Sequence, residues 1–192
     1  MKKGKEYHLE HFPDSIATRY MEKTNSILQY SILQECIMEN IYKEKPLQDY
    51  YIIHLRTGDV IDNTSYNVID MLSKPVYHSS IDILTSCYHN YVKPLRYYEE
   101  KVKLVQMNYP TIKTIVLVAG AHVPLQYEKS SLYINCISSY MKQQGYNVIL
   151  RLARNPDEDL VYMSQSSYFT PSGGGFSSII TSLVRKNGGI II

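Results

Sequence analysis

The chain has 192 residues, of which 44% are hydrophobic and 20% are charged, and its net charge is +2. This composition fits one globular domain with a sizeable core and argues against a basic surface for nucleic acid. The three cysteines are too widely spaced for a zinc or redox motif, which indicates a reducing compartment. The chain starts with charged residues and has no run long enough to cross a membrane, so we expect a soluble, cytoplasmic protein.

The first half of the chain begins with a predicted amphipathic helix. Between Glu22 and Tyr42 a stripe of apolar residues recurs at helical spacing, with Tyr30, Leu33, Ile37 and Ile41 at its centre. The aromatic and β-branched run from Tyr50 to Leu55 predicts the first strand. The segment that follows is ambiguous, with helical fragments at Val68 to Leu72 and at Ile81 to Tyr91.

After Pro94, strands and helices alternate regularly. The predicted helices cover Arg96 to Met107, Glu128 to Gln144, Asp157 to Gln165 and Phe176 to Lys186. The predicted strands cover Thr114 to Ala119, Asn147 to Leu150, Tyr168 to Thr170 and Ile190 to Ile192. The runs Ile115 to Val118 and Ile190 to Ile192 are apolar throughout, as in strands buried on both faces. The alternation predicts an α/β fold, a Rossmann-like parallel sheet with helices on both faces.

The first predicted strand runs into a polar turn, and three chemically capable side chains lie at this strand end, His54, Arg56 and Asp59. Gly58 allows the backbone to turn there. In open α/β sheets, ligands bind outside the carboxyl ends of strands. A guanidinium at that place suits a phosphate, because it is always charged and can donate two hydrogen bonds at once. The alternative is a surface ion pair that closes the strand.

A glycine-rich segment, Pro171 to Ser178, lies between a predicted strand and a predicted helix. Glycines let the backbone approach a ligand closely, and the start of a helix offers unpaired N–H groups. Ser177 and Ser178 add hydroxyl groups. The segment is therefore suited to a phosphate, although a flexible connection capped by serine would have the same sequence.

Asp159 opens an amphipathic turn upstream of that segment. A carboxylate accepts two hydrogen bonds side by side, and guanine presents two adjacent donors, its ring N–H and its amino group. Asp159 could therefore select guanine near a nucleotide site. The simpler interpretation is that Asp159 caps its helix.

Taken together, these segments resemble the inverting fucosyltransferases, which comprise the α-1,2, α-1,6 and protein O-fucosyltransferases. The turn from His54 to Asp59 is similar to their His-x-Arg-x-x-Asp sugar-nucleotide motif at a strand end. The segment Pro94 to Tyr98 resembles the Pro-Leu-x-Tyr-Tyr that opens a helix in the α-1,2 group. Asp159 to Gln165 resembles the Asp-x-x-x-(Leu/Met)-Ser segment, and Gly175 to Ser178 resembles the Ser-Phe-Ser that follows it.

The resemblance covers Tyr50 to the C-terminus and implies the nucleotide-sugar-binding lobe of a GT-B glycosyltransferase. It implies that fucose moves from GDP-fucose to a glycan or another hydroxyl acceptor, with inversion and without a metal or other cofactor. Arg56 would grip the β-phosphate, and His54 and Asp159 would contact guanine. The donors to the diphosphate would come from Gly175, Phe176, Ser177 and Ser178. No Asp-x-Asp stands in a loop after a strand, in keeping with a metal-free site.

The chain departs from the family pattern at two points. Many members carry a second arginine after the first, whereas this chain has Thr57. The region before the motif is also short for a GT-B acceptor lobe, so we expect one donor-binding domain over 1–192, with 1–45 as a helical extension or a reduced acceptor lobe. A partner chain or a fused domain would then complete the acceptor site.

The base that would deprotonate the acceptor hydroxyl is open. Asp59 and Asp62 are the nearest carboxylates on the turn. We expect Asp59 to support Arg56 by pairing with it, which leaves Asp62 as the candidate base, or as an N-cap for a helix from Asn63 onward. Two alternatives for the whole protein remain: a transferase of the same build with another donor, such as a rhamnose nucleotide, and a non-catalytic nucleotide-sugar-binding or glycan-binding domain.

Overall fold

The structure is a computed structural model and describes residues 44–73, 92–120 and 128–192. The predicted helices at Glu22 to Tyr42 and Ile81 to Tyr91 lie outside the described residues. The strands are β1 (Tyr50–Arg56), β2 (Thr114–Gly120), β3 (Asn147–Leu152), β4 (Tyr168–Thr170) and β5 (Ile190–Ile191). The helices are α1 (Asp59–Asp62), α2 (Val68–Ser73), α3 (Leu95–Asn108), α4 (Glu128–Gln143), α5 (Pro156–Ser164) and α6 (Gly174–Lys186).

The described strands form one parallel sheet in the order β3-β2-β1-β4-β5, with β1 at its centre. β1 pairs with β2 along its whole length, from Tyr50 beside Thr114 to Arg56 beside Gly120. On its other side, β1 pairs in parallel with β4. The prediction of a parallel α/β sheet is therefore confirmed.

Helices cover both faces of the sheet, and each face has its own apolar core. One face is covered by α1, α2, α3 and α4, and the other by α5 and α6. Alternate residues of each strand point to opposite faces. In β1, Tyr51 and Ile53 enter the first core and Ile52 enters the second. Each apolar side chain buried in this way contributes about 1.5–3 kcal/mol to stability.

The edge strands are far more exposed than β1 and β2. In β3, Ile149 is 37% exposed and Leu150 is 41% exposed. The prediction that the run from Ile190 is buried on both faces is wrong, because β5 pairs only with β4 at the sheet edge and Ile190 is 41% exposed. The sequence pattern of β5 resembles that of β2, but its place in the sheet differs.

The order of the strands reverses between β1 and β4. The chain lays β2 and then β3 on one side of β1, and it then places β4 on the other side. Ligands of open α/β sheets bind at such a switch point, outside the carboxyl ends of the strands. At this switch point the end of β1 and the glycine-rich segment after β4 meet, because His54 contacts Ser172 and Ser177.

Candidate functional site

His54 and Arg56 belong to the end of β1, on the face covered by α5 and α6. They are two and four residues beyond Ile52, which enters the core of that face, and strand residues two apart share a face. His54 is buried, whereas the Arg56 side chain is 17% exposed. The central strand therefore carries a buried imidazole and, two residues closer to its carboxyl end, a partly accessible guanidinium.

A buried cluster of three side chains joins β1 to the glycine-rich segment. The Nδ1 atom of His54 lies 2.6 Å from the Oγ of Ser177 and 3.2 Å from the Oγ of Ser172. The two serine oxygens are 3.4 Å apart. The ring of Phe176 meets the His54 ring edge-on, with centroids 5.6 Å apart. His54 thus orients the start of α6, and Ser172 joins the candidate site although the sequence motifs did not single it out.

The first turn of α6 includes the glycines. α6 begins at Gly174 rather than at the predicted Phe176, and Gly173 before it takes a φ of 119°, which glycine adopts readily. No side chain caps this helix start, so no side-chain cap takes up the N–H groups of the first turn. These groups and the positive end of the helix dipole suit an anion.

Ser177 and Ser178 have different surroundings despite being neighbours. Ser177 is 1% exposed and faces His54, whereas Ser178 is exposed. The carbonyl oxygen of Ser178 accepts a hydrogen bond from Ser182 Oγ at 3.1 Å. Ser177 therefore belongs to the buried cluster around His54, while the Ser178 side chain is exposed to solvent.

Tyr97 connects the segment Pro94 to Tyr98 with the glycine-rich segment. Its hydroxyl donates to the carbonyl oxygen of Pro171 at 2.9 Å. Burial raises the pKa of Tyr97 to about 12, so the hydroxyl remains a donor at neutral pH. The segment Pro94 to Tyr98 and the glycine-rich segment, which carry separate sequence motifs, are therefore in direct contact.

Arg56 and Asp59 form an ion pair at the turn after β1. Their Nη2 and Oδ1 atoms are 3.0 Å apart, and the Asp59 side chain is 41% exposed. Thr57, the residue after Arg56, is 2% exposed and donates from Oγ1 to the carbonyl oxygen of Gly120 at 2.9 Å. Thr57 therefore ties the ends of β1 and β2 together and supplies no second cation.

Asp62 binds the start of α4. It is the last residue of α1, and Asn63 follows the end of that helix, so the prediction of a helix capped by Asp62 from Asn63 onward is wrong. Its Oδ1 accepts from the backbone N–H of Ser130 at 3.0 Å, and its Oδ2 accepts from the Ser130 hydroxyl at 2.7 Å. A base role for Asp62 would have to compete with these two bonds.

Asp159 lies in the first turn of α5, but the cap of that helix is Asn155, whose side chain accepts from the N–H of Asp157. The Oδ1 atom of Asp159 accepts from Nε of Arg151 at 2.6 Å. Burial raises the pKa of Asp159 to about 6, and the hydrogen bond and charge of Arg151 oppose that rise. Asp159 is therefore an ion-paired, buried carboxylate rather than a simple cap.

Arg151 is the charged residue of this region that the sequence motifs missed. It is 5% exposed, and its Nη1 also lies 2.7 Å from Oε2 of Glu44. The sequence predicted β3 to end at Leu150, whereas the strand continues to Leu152. The available signal was a lone arginine directly after an apolar strand, eight residues before an aspartate at a helix start.

The two polar groups, around His54 and around Arg151, lie on the same face of the sheet. In the strand register, His54 stands beside Val118, and Val118 stands beside Arg151. Two strand spacings, about 10 Å, therefore separate the backbones at His54 and Arg151. Within residues 44–73, 92–120 and 128–192, no three His, Cys, Asp or Glu side chains are grouped as a metal ion would require.

Comparisons with known proteins add the following. No family model matches the chain, and no curated protein matches it. A crystal structure of POFUT1 in complex with GDP is 14% identical, with a TM-score of 0.43 over 82% of this chain and 44% of that chain. A crystal structure of POFUT1 in complex with GDP-fucose is 11% identical, with a TM-score of 0.40 over 88% of this chain and 41% of that chain. The chain spans less than half the length of these two chains. Among the described helices, none has the length and apolar character needed to cross a membrane.

Proposed function

We propose that this chain is the donor-binding part of an inverting glycosyltransferase that moves a sugar, most simply fucose, from a GDP-sugar to a glycan or another hydroxyl acceptor. The observation that carries the proposal is the contact between the end of β1 and the first turns of α6 at the switch point, made by His54 with Ser177. The partly accessible Arg56 is the last residue of β1, and the start of α6, which no side chain caps, comes after β4. Both groups suit the diphosphate of a sugar nucleotide.

The chemistry of transfer explains why such a pair would be useful. Breaking the bond between sugar and phosphate leaves negative charge on the diphosphate while positive charge develops on the sugar ring. A fixed guanidinium and fixed N–H groups stabilise the leaving charge most strongly in the transition state. In this proposal Arg56 grips the β-phosphate, and the first turn of α6, with Gly175, Phe176, Ser177 and Ser178, supplies further donors.

Asp59 is the proposed support for Arg56. It takes one of the guanidinium N–H groups, and a guanidinium has five in all. The pair therefore leaves donors for a phosphate while the carboxylate restrains the arginine side chain. Because the Asp59 side chain is 41% exposed, holding it in place costs little desolvation.

The proposed contacts to the guanine ring are His54 and Asp159, which lie on the same face of the sheet. Asp159 would accept hydrogen bonds from the ring N–H and the amino group of guanine, provided that it is ionised.

Asp62 remains the candidate general base for the acceptor hydroxyl, and it would have to release Ser130 to take a proton. The acceptor-binding part would come from another segment or from a partner chain.

A panel of GDP-, UDP- and dTDP-sugars tests the proposal. We expect slow hydrolysis or transfer with GDP-fucose and weaker use of the others. Turnover of a different donor, such as a rhamnose nucleotide, would replace the donor assignment and keep the reaction class. Binding of GDP-sugars with no turnover, even with hydroxyl acceptors present, would favour a non-catalytic nucleotide-sugar-binding domain.

A further inference from the structure

The guanidinium of Arg151 is held on several sides. Its Nε lies 2.6 Å from Oδ1 of Asp159, its Nη1 lies 2.7 Å from Oε2 of Glu44, and its Nη2 lies 4.0 Å from Oε2 of Glu158. Its central carbon stands 4.3 Å from the centroid of the Tyr162 ring. With a side chain that is 4% exposed, Arg151 has no room to follow a ligand. Its guanidinium is a fixed cation rather than a mobile group that could bind a phosphate.

We propose that Arg151 is a positioning residue that holds the Asp159 carboxylate in place as a paired acceptor for guanine. This inference rests on the proposed function, since it concerns the base contact of the same site. A carboxylate has about four lone-pair positions. Arg151 uses one of them on Oδ1, so the two oxygens can still accept two adjacent donors side by side. Arg151 thus orients Asp159 without occupying it.

The charge of Arg151 has a second consequence. Burial raises the pKa of Asp159 to about 6, Arg151 and Arg154 oppose the rise, and Glu158 adds to it. Without the guanidinium, Asp159 would stay protonated to a higher pH. A protonated carboxyl carries an O–H donor, which meets the donors of guanine unfavourably. Arg151 therefore keeps Asp159 in the form that accepts hydrogen bonds at neutral pH.

The groups that face this pair come from three parts of the chain. Glu44 precedes β1, Arg154 follows β3, and Glu158 and Tyr162 belong to α5. Burial raises the pKa of Tyr162 to about 12, so it remains neutral between pH 5 and 8. The hydrogen bond from Arg151 lowers the pKa of Glu44, so that carboxylate stays ionised over the same range.

The test is the ratio of GDP affinity to UDP affinity, measured by calorimetry from pH 5 to 8. Both nucleotides carry the same diphosphate, so its own titration cancels in the ratio. In the unmodified chain the ratio should rise through about pH 6, where Asp159 ionises, and level off above it. Asp159→Asn assigns the effect to this carboxylate, and the ratio for that variant should be flat with pH. A flat ratio in the unmodified chain overturns the inference.

Arg151→Gln separates the role of Arg151 from that of Asp159. We expect the rise in the ratio to move to higher pH, and below the new midpoint each unit of movement lowers the preference by about tenfold. Arg151→Lys, which keeps the charge, should leave the midpoint where it is in the unmodified chain. Arg96→Gln is the matched control, since Arg96 is an exposed residue of α3 that pairs with Glu100.

The outcomes separate this inference from the proposed function. Arg151→Gln with an unmoved midpoint and a full preference for GDP overturns the inference and leaves the donor site standing. If Arg151→Gln does not fold, Arg151→Lys decides, because a moved midpoint despite the retained charge also overturns it. A chain that binds neither GDP nor UDP refutes both the inference and the proposed function.

Discussion

Arg56 and Arg151 both stand near the carboxyl ends of parallel strands, on the same face of the sheet, yet their surroundings differ. Arg56 is 17% exposed and pairs with Asp59, which is itself 41% exposed. Arg151 is 4% exposed and lies within 4.0 Å of three carboxylates, those of Glu44, Glu158 and Asp159. A cation at the carboxyl edge of the sheet is therefore available to a ligand only where carboxylates of the protein do not already occupy its N–H groups.

The largest expected contrast is in stability. Arg151→Ala would leave Asp159 buried without its guanidinium, so we expect the free energy of unfolding to fall by about 3–5 kcal/mol. Arg56→Ala removes a partly exposed pair and should cost less than about 1 kcal/mol. Urea unfolding of the two variants measures both values. Equal losses would remove the distinction between the two arginines.

The next contrast is in the preference for guanine over the other nucleobases. Asp159→Asn keeps one acceptor oxygen but places an amide donor against the donors of guanine, so the preference for GDP over ADP and UDP should disappear, a change of about 1–3 kcal/mol in relative affinity. Asp70→Asn, on α2, is the matched control and should leave the preference unchanged. Equal affinity for the three nucleotides in the unmodified chain would refute the guanine contact while leaving the phosphate contact possible.

A smaller contrast concerns the two neighbouring serines. Ser177→Ala removes the 2.6 Å hydrogen bond to buried His54 and should destabilise the chain by about 1 kcal/mol. Ser178 is exposed, so Ser178→Ala should change stability by no more than about 0.5 kcal/mol. Thermal unfolding compares them. A larger loss of stability for Ser178→Ala than for Ser177→Ala would contradict the structural role assigned to Ser177.

The smallest expected effect is that of a chelator. If Arg56 and the start of α6 already oppose the diphosphate charge, GDP binding in excess EDTA should equal binding in its absence. Affinity that vanishes with the chelator and returns with Mg²⁺ or Mn²⁺ would point to a metal-dependent build.

Much of the fold was predictable because periodicity and chain breaks are local signals. The predicted bounds of β4 agree with the structure, β2 is one residue longer at its C-terminal end, and α3 is one residue longer at each end. The end of α4 was predictable because Gly145 takes a φ of 87°, which favours glycine at a helix terminus. The exposure of Ile190 was not, since three apolar residues read the same in a central strand and in an edge strand.

The candidate site was predictable only in its pieces. The polar end of β1 and the glycine-rich segment could each be recognised by residue type, and the switch point explains why His54 meets Ser172 and Ser177. The contacts that join distant segments could not be read from the sequence, such as Tyr97 with Pro171 and Asp62 with Ser130. Arg151 was missed for the same reason, because its role depends on partners that the fold brings to it.

The most direct test of the donor site is calorimetric titration of GDP into the unmodified chain, Arg56→Ala and Arg96→Ala. Arg96 is an exposed arginine of α3 in an ion pair with Glu100, and it is the matched control. We predict that GDP binds the unmodified chain, that Arg56→Ala weakens binding by about 2–4 kcal/mol, and that Arg96→Ala leaves it unchanged. Unchanged GDP affinity in a folded Arg56→Ala variant would contradict the account.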